Sequence, residues 1–368
     1  MSNIYDELNL GTVINAQSWV TRLGGSIMPP EVINAMNQAS EGFVDIEKLH
    51  DKCSDQIAKL CNSESALITA GCASAIVLMS ASIICNRDEK LIDKIPNLEF
   101  RPEILIHEKQ RNHYDIFFEM TGAKLIEYRD KSSLINKISD KSVAVAFVEA
   151  PFLGSGLGIK ETVNIAKEFN LPVIVDSSAR VPPVSNLFKF IKAGANMVCY
   201  SGGKGIRGPQ NSGFIIGDKK YIDLARKNLI CFSDERARIG RSMKVSKECL
   251  IGITTALKLF LDTDQDAVWN EWKRKAGYIV NELLVIDGID VKLEDGGINR
   301  EGPQAVIYFT NSWTGLSAKE ISSKLSNGDP SIYVGNDGYS DEINLAMTNV
   351  QDGEEIIIVK KLREILLR

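Results

Sequence analysis

Histidine is scarce in this chain, with three in 368 residues, at positions 50, 107 and 113. No cluster of His, Cys, Asp and Glu has the spacing of metal ligands, so no metal is expected. The seven cysteines are odd in number and form no CxxC pair. Four of them, in AKLCN, SIICN, MVCY and KECLIG, sit in apolar surroundings where reduced thiols act as small hydrophobes, which points to a reducing compartment. No segment approaches the roughly eighteen consecutive apolar residues of a membrane span. The start, MSNIYDELNLG, is acidic where a secretory signal would be basic, and a cytoplasmic protein is expected. A net charge of −5 gives no reason to expect a polyanion partner. GxxxxGK[ST], GxGxxG and GxSxG are all missing, which removes the usual signals for a nucleoside triphosphate, a dinucleotide or a serine nucleophile. Internal repeats and low-complexity tracts are absent too.

What is present reads as an ordinary globular chain, long enough for one large and one smaller domain. PPEVINAMNQASEG (29–42) and DIEKLHDKCSDQIAKLC (45–61) have helical spacing, and His50 on the second reads as a surface or boundary residue. Short apolar strands then alternate with helices. They are Ala66–Ile68, with a helix from about Ala73; EILIH (103–107), with a helix over 112–121; AKLIEY (123–128); VAVAFVEA (143–150), before KETVNIAKEFN; LPVIVDSSA (171–179), before LFKFIKAG; NMVCYS (196–201); and GFIIG (213–217). This alternation predicts an α/β fold with a mostly parallel sheet covered by helices. A long apolar helix in 245–263 leads to shorter strands and amphipathic helices. The expected divisions are an N-terminal arm and helix at 1–45 packing on the small domain, a large domain at 46–245, and a linker helix with a small domain at 246–368.

Functional groups in such sheets gather at the C-terminal ends of strands. Three ends are informative. VIVD closes in Asp176, with Ser178 just beyond. MVCYS closes in Ser201 and runs into Gly202, Gly203 and Lys204. LITA runs into Gly71, Cys72, Ala73 and Ser74 at a helix start. An amine such as Lys204 that joins an aldehyde wants a desolvated place, and the glycines beside it would let a flat cofactor come close. Asp176 is either a turn or cap residue or a carboxylate for a protonated pyridine nitrogen. TAGCAS is either a tight turn or a phosphate cradle of free N–H groups, to which Ser201 could add its hydroxyl. His113, in EKQRNHYD, is either a loop residue or a ring that stacks on a pyridine.

VIVDSSA, YSGGKGIRGPQNSGFIIG and IGRSMKVSKECLIGITTAL, together with YDELNLGTVINA, LGGSIMPPEVINAM and QRNHYD, resemble the pyridoxal-phosphate enzymes grouped around selenocysteine synthase and D-glucosaminate-6-phosphate ammonia-lyase. The likeness runs to about residue 265. It implies fold type I with a seven-stranded sheet, pyridoxal 5'-phosphate as cofactor, Lys204 as Schiff-base lysine and Asp176 at the pyridine nitrogen. His113 would stack on the ring, Gly71 to Ser74 and Ser201 would hold the phosphate, and Ser178 and Gln210 would complete the cofactor site. Arg241, Lys244 and Lys247 match positions that meet phosphate or substrate. Sites of this group are completed across a subunit boundary, so a homodimer or higher homo-oligomer is expected. The chain starts almost at the family core and is acidic, which makes transfer RNA an unexpected substrate and a small amino compound the expected one. No arginine lies between Arg300 and Arg363, where a carboxylate grip would be sought around IYVGNDGYSDEINLAMTN. Either another arginine grips the carboxylate, with Arg22, Arg111, Arg180, Arg207 and Arg241 as candidates, or the substrate is not an ordinary α-amino acid.

The expected activity is a pyridoxal-phosphate lyase that performs α,β-elimination on an amino acid or amino sugar acid, with Lys204 as the α-proton base. A racemase or epimerase, an aldolase and an aminotransferase use the same residues. A catalytically silent binding or regulatory protein is the alternative of a different class.

Overall fold

Strand β1 (Ile14–Ala16) opens the chain, and seven strands follow that belong together: β2 (Ser65–Thr69), β3 (Glu103–His107), β4 (Lys124–Tyr128), β5 (Ser142–Val148), β6 (Val173–Asp176), β7 (Met197–Ser201) and β8 (Gly213–Gly217). Four more come later, β9 (Ile289–Glu294), β10 (Gln304–Phe309), β11 (Ile332–Val334) and β12 (Glu342–Ala346). The structure is a computed structural model, and it describes residues 4–150, 153–154, 156–229, 237–296, 302–335 and 342–367.

Seven strands form one sheet in the order β2-β8-β7-β6-β5-β3-β4. Neighbours from β7 to β4 are parallel, while β8 runs antiparallel to both β7 and β2. The strands are apolar on both faces because helices cover both. β5 is buried at every residue, as a two-sided strand must be. Alternation divides the side chains between two cores. Val145, Phe147, Val175, Val198 and Tyr200 enter one. Ala144, Ala146, Ile174, Met197 and Cys199 enter the other, with the helix Gly71–Cys85. That helix is apolar all round and is buried from Ala75 to Cys85, the signature of a helix enclosed by other elements.

The chain divides into two units, residues 28–263 and residues 1–27 with 264–368. The expected boundaries at 45 and 245 shift because the helices Pro30–Ser40 and Lys247–Asp262 pack on each other inside the larger unit. A Cβ on Gly252 would lie 2.8 Å from the Met36 sulfur, so glycine permits that close approach, and Lys247 Nζ donates to the carbonyls of Ser40 (3.0 Å) and Gly42 (2.6 Å). Lys247 therefore closes a helix end and is not placed to meet phosphate. The smaller unit holds a three-stranded antiparallel sheet, β12-β10-β9, and the parallel pair β1-β11. Its helices Gln265–Leu283, Ala318–Ser326 and Glu354–Leu366 share one core with those strands. Asn336–Asp341, within the segment searched for a carboxylate grip, lies outside the described residues, as do Cys231 and Arg300.

The helix expected over 112–121 is only Ile116–Glu119. Asn112 Oδ1 accepts from Tyr114 N–H (2.8 Å) and Asp115 Oδ1 from Asn112 N–H (3.2 Å), local bonds that compete with helix formation. Among the described residues, no helix is long and apolar enough to cross a membrane.

His50 is not a surface residue; it is 4 % exposed. Its Nε2 lies 2.8 Å from the carbonyl of Ile68, whose N–H donates to Ser54 Oγ at 3.3 Å. β2 is an edge strand, and these two side chains satisfy the backbone groups that β8 does not reach. Burial holds the His50 pKa down to about 4, against the Ile68 bond and with help from the Arg226 charge. An unfolded histidine titrates near about 6.5. Neutral His50 thus contributes its full stabilisation above that value, and the contribution falls as pH drops toward about 4. We expect urea unfolding at pH 7 and pH 4.5 to show a loss of about 2 kcal/mol in the wild type that His50→Gln lacks. Equal pH dependence in the two proteins would contradict this.

Candidate active site

Register assembles the site from strand ends. Asp176 pairs with Val148 of β5 on one side and Cys199 of β7 on the other. Two residues farther along β7, Ser201 lies opposite Gly213 of β8, and Gly213 lies opposite Thr69 of β2. Strand alternation points Cys199 and Ser201 to the face that the helix Gly71–Cys85 covers. The three strand ends singled out in the sequence therefore share one edge of one sheet.

Asp176 is 6 % exposed. Its Oδ1 accepts the Ser178 backbone N–H at 2.9 Å, so Ser178 acts here through its main chain. Cys199 Sγ lies 3.9 Å from the same oxygen. No Lys, Arg or His among the described residues forms an ion pair with this carboxylate. The neighbouring Ser177 Oγ is buried with no hydrogen-bond partner. A buried carboxylate without a cation is costly, and its surroundings suit a ligand that brings a positive N–H.

The helix Gly71–Cys85 starts with no side-chain cap on its first N–H groups, which leaves them to attract an anion. Gly71 takes φ +86, where a larger residue would be strained. The Thr69 and Ser74 hydroxyls donate to the carbonyls of Gly71 (3.0 Å) and Ala70 (2.9 Å) and fix the turn. A Cβ on Gly213 would lie 2.9 Å from Gly71 C and 3.1 Å from Cys72 N. Glycine there lets the helix start rest directly on β8. An uncapped helix start beside Ser201, together with the unpaired acid, fits a phosphorylated pyridine.

Lys204 is half-buried in the connection from β7 to β8. The loop is braced by Gly202 N–H to Ser212 O (2.9 Å), Gly208 N–H to Gly202 O (2.8 Å) and Arg207 N–H to Lys204 O (2.9 Å). The glycines also have a packing role. A Cβ on Gly202 would lie 2.2 Å from Ser212 Oγ, on Gly203 2.3 Å from Gln210 Cα, and on Gly205 2.2 Å from the Val181 carbonyl. They make room for the protein's own loop.

The remaining candidates divide. Arg111 is engaged by Asp115 and Glu127, so it is no open carboxylate grip. Arg180 meets Glu149 at 3.3 Å, and Lys189 meets the same carboxylate at 2.8 Å. Arg22, in the smaller unit, donates from Nε to Gln17 Oε1 at 3.1 Å and lies 5.4 Å above the Tyr333 ring. Arg207 and Gln210 are exposed on the Lys204 loop, and Arg241 and Lys244 are exposed at the turn Ile239–Met243 and just after it. His113 is exposed, its ring 5.1 Å from that of Tyr114.

Sequence reasoning passed over three groups. His107, 2 % exposed, closes β3; its Nδ1 accepts from Lys109 N–H at 3.1 Å, and Gly156 packs against its ring. Ser177 is the second, and its place beside Asp176 was the available signal. The third is the thiol pair Cys72 and Cys199, whose sulfurs and an Asp176 oxygen all lie within 4.8 Å of one another. Spacing in sequence suggested no metal cluster because the fold alone unites positions 72, 176 and 199. Burial, reinforced by Cys72 and Asp176, raises the Cys199 thiol well above its ordinary range.

The family model "SelA: L-seryl-tRNA selenium transferase" matches residues 153–269. D-glucosaminate-6-phosphate ammonia lyase of Salmonella typhimurium is 26% identical over 99% of this chain and 98% of its own. A 5'-C-glycyluridine monooxygenase-decarboxylase of a Streptomyces species is 25% identical over 99% of this chain and 92% of its own. A solved structure of D-glucosaminate-6-phosphate ammonia-lyase superposes with a TM-score of 0.85, at 26% identity, covering 100% of this chain and 99% of that one. With the sheet order and the strand-end residues, these likenesses lead to one conclusion: the chain has the fold of the fold type I pyridoxal-phosphate enzymes and is similar over nearly its whole length to the ammonia lyase.

Proposed function

We propose that this protein is a pyridoxal-phosphate-dependent lyase that removes the elements of water, or of another β-substituent, from a small amino acid or amino sugar acid, with release of ammonia. The observation that carries the reading is the meeting, at one sheet edge, of an amine in a braced loop, a buried acid without a cation and an uncapped helix start. Likeness over nearly the full length of both chains to an ammonia lyase supports elimination over the other reactions of the group.

Each residue then has a task. The N–H groups from Gly71 to Ser74, with the Ser201 hydroxyl, bind the phosphate. Asp176 accepts the pyridine N–H and is itself oriented by Ser178 N–H. Lys204 Nζ would hold the cofactor and, when freed, would accept the α-proton. When bound, the cofactor supplies an electron sink for the pair left at the α-carbon. Expulsion of a β-hydroxyl as water gives an enamine acid, which tautomerises and hydrolyses to a keto acid and ammonia. Among the cationic candidates, Arg207, Arg241 and Lys244 are better placed than Arg111 to meet substrate carboxylate or phosphate. Work as at least a homodimer in the cytoplasm belongs to the same proposal, with a small amino substrate and not a transfer RNA.

Added pyridoxal phosphate is expected to give the full-length protein a visible absorbance band that Lys204→Ala abolishes; a colourless wild type would sink the cofactor reading. Gly213→Ala should push the helix start off β8. We expect it to weaken pyridoxal phosphate roughly tenfold, in line with loss of one charge-assisted hydrogen bond, and to leave pyridoxal without phosphate unaffected in fluorescence titration. Equal weakening of both ligands would remove the phosphate cradle. Incubation with D-glucosaminate 6-phosphate and a panel of β-hydroxy amino acids should yield ammonia and keto acid in equal amounts for at least one of them. Exchange of the α-proton in deuterated water without ammonia would replace elimination by racemisation.

A further inference from the structure

We propose that Cys72, Cys199 and Asp176 form a binding site for a thiophilic divalent cation of the zinc class, and that this cation competes with the cofactor for Asp176. The three donor atoms already lie within 4.8 Å of one another, with Cys199 Sγ 3.9 Å from Asp176 Oδ1. Zinc–sulfur bonds of about 2.3 Å and zinc–oxygen bonds of about 2.1 Å imply tetrahedral donor edges of roughly 3.5–3.8 Å. The set therefore closes with a side-chain adjustment on the order of 1 Å.

The donors stand on rigid elements. Asp176 and Cys199 end or face each other on the paired strands β6 and β7, and Cys72 is in the first turn of the helix Gly71–Cys85. Two thiols and one carboxylate suit zinc or cadmium, and not magnesium or calcium, which want oxygen ligands alone. Asp176 and Cys199 are buried, while Gly71 and Cys72 are half-buried. The fourth coordination position can therefore be filled from solvent, as in sites that keep an exchangeable ligand. On binding, the two S–H bonds break, two S–metal bonds form, and two protons pass to the buffer. The three anionic donors exceed the ion's charge by one, and the positive end of the helix that begins at Gly71 lies beside them.

Competition rests on the functional reading above, in which Asp176 accepts the pyridine N–H; the cation site itself does not. A carboxylate oxygen drawn to a metal is withdrawn from the ring nitrogen, so each ligand lowers the apparent affinity of the other.

Cadmium is the probe, titrated into the full-length protein. We expect one ion per chain, ultraviolet thiolate-to-metal charge-transfer absorbance for two sulfurs, and two protons released. Cys72 is half-buried in a first turn, so Cys72→Ser should fold, with an unchanged circular-dichroism melt, while cadmium affinity drops by about tenfold or more and the absorbance halves. Asp176→Asn should retain the two-sulfur absorbance at lower affinity. Wild-type binding without thiolate absorbance, or Cys72→Ser that binds as tightly as wild type, would overturn the site. Saturating pyridoxal phosphate should weaken cadmium. Cadmium affinity indifferent to the cofactor, in protein that shows the Lys204-dependent visible band, overturns the competition alone. Two-sulfur cadmium binding in protein that never acquires that band supports the site and counts against the cofactor reading.

Discussion

A carboxylate buried at the end of a strand with no cation beside it is the constraint around which the larger unit is arranged. Charge taken out of water costs several kcal/mol unless it is answered. At Asp176 the described residues answer it with one N–H and one thiol, and no ion pair. That shortfall suits the proposed role, in which the acid would receive a positive N–H. Arg180, four residues on, is held by Glu149, which also binds Lys189.

Much of this was legible in the sequence because two-sided strands are written as short apolar runs, and their ends stand out against them. VIVD, MVCYS and LITA each break off at a polar or small residue, and a parallel sheet gathers such breaks at one edge. Convergence in space was not legible. Nothing in the separation of Cys72 from Cys199 says that a helix start and a strand face will meet, and Cys199 read as one more apolar strand residue. His50 looked peripheral since the need it meets, the open edge of β2, exists only once the strand order is known. The glycines near Lys204 showed that something approaches closely, but composition cannot say whether it is a ligand or the chain itself. Side-chain turns at Asn112 and Asp115 likewise overrode an apparent helical pattern.

The relatives show how little the scaffold alone dictates the reaction. An ammonia lyase and a monooxygenase-decarboxylase each align with this chain over almost its whole length at similar identity. The groups around the shared sheet edge are then the place to look for what separates these proteins. Here Arg111 is neutralised by Asp115 and Glu127, while Arg207 and Arg241 stand on exposed turns.

β8 lies between β2 and β7 and runs against both, and β2 has no other neighbour in the sheet. During synthesis β2 emerges early yet has no strand to join until the chain has been made through Gly217. The helix that follows β2 is thus tied to β8 on one side, while it also shares a core with β5, β6 and β7. The strand of this sheet that arrives last in the chain is therefore the one that joins the two ends of this sheet edge, Thr69 and Ser201, through Gly213.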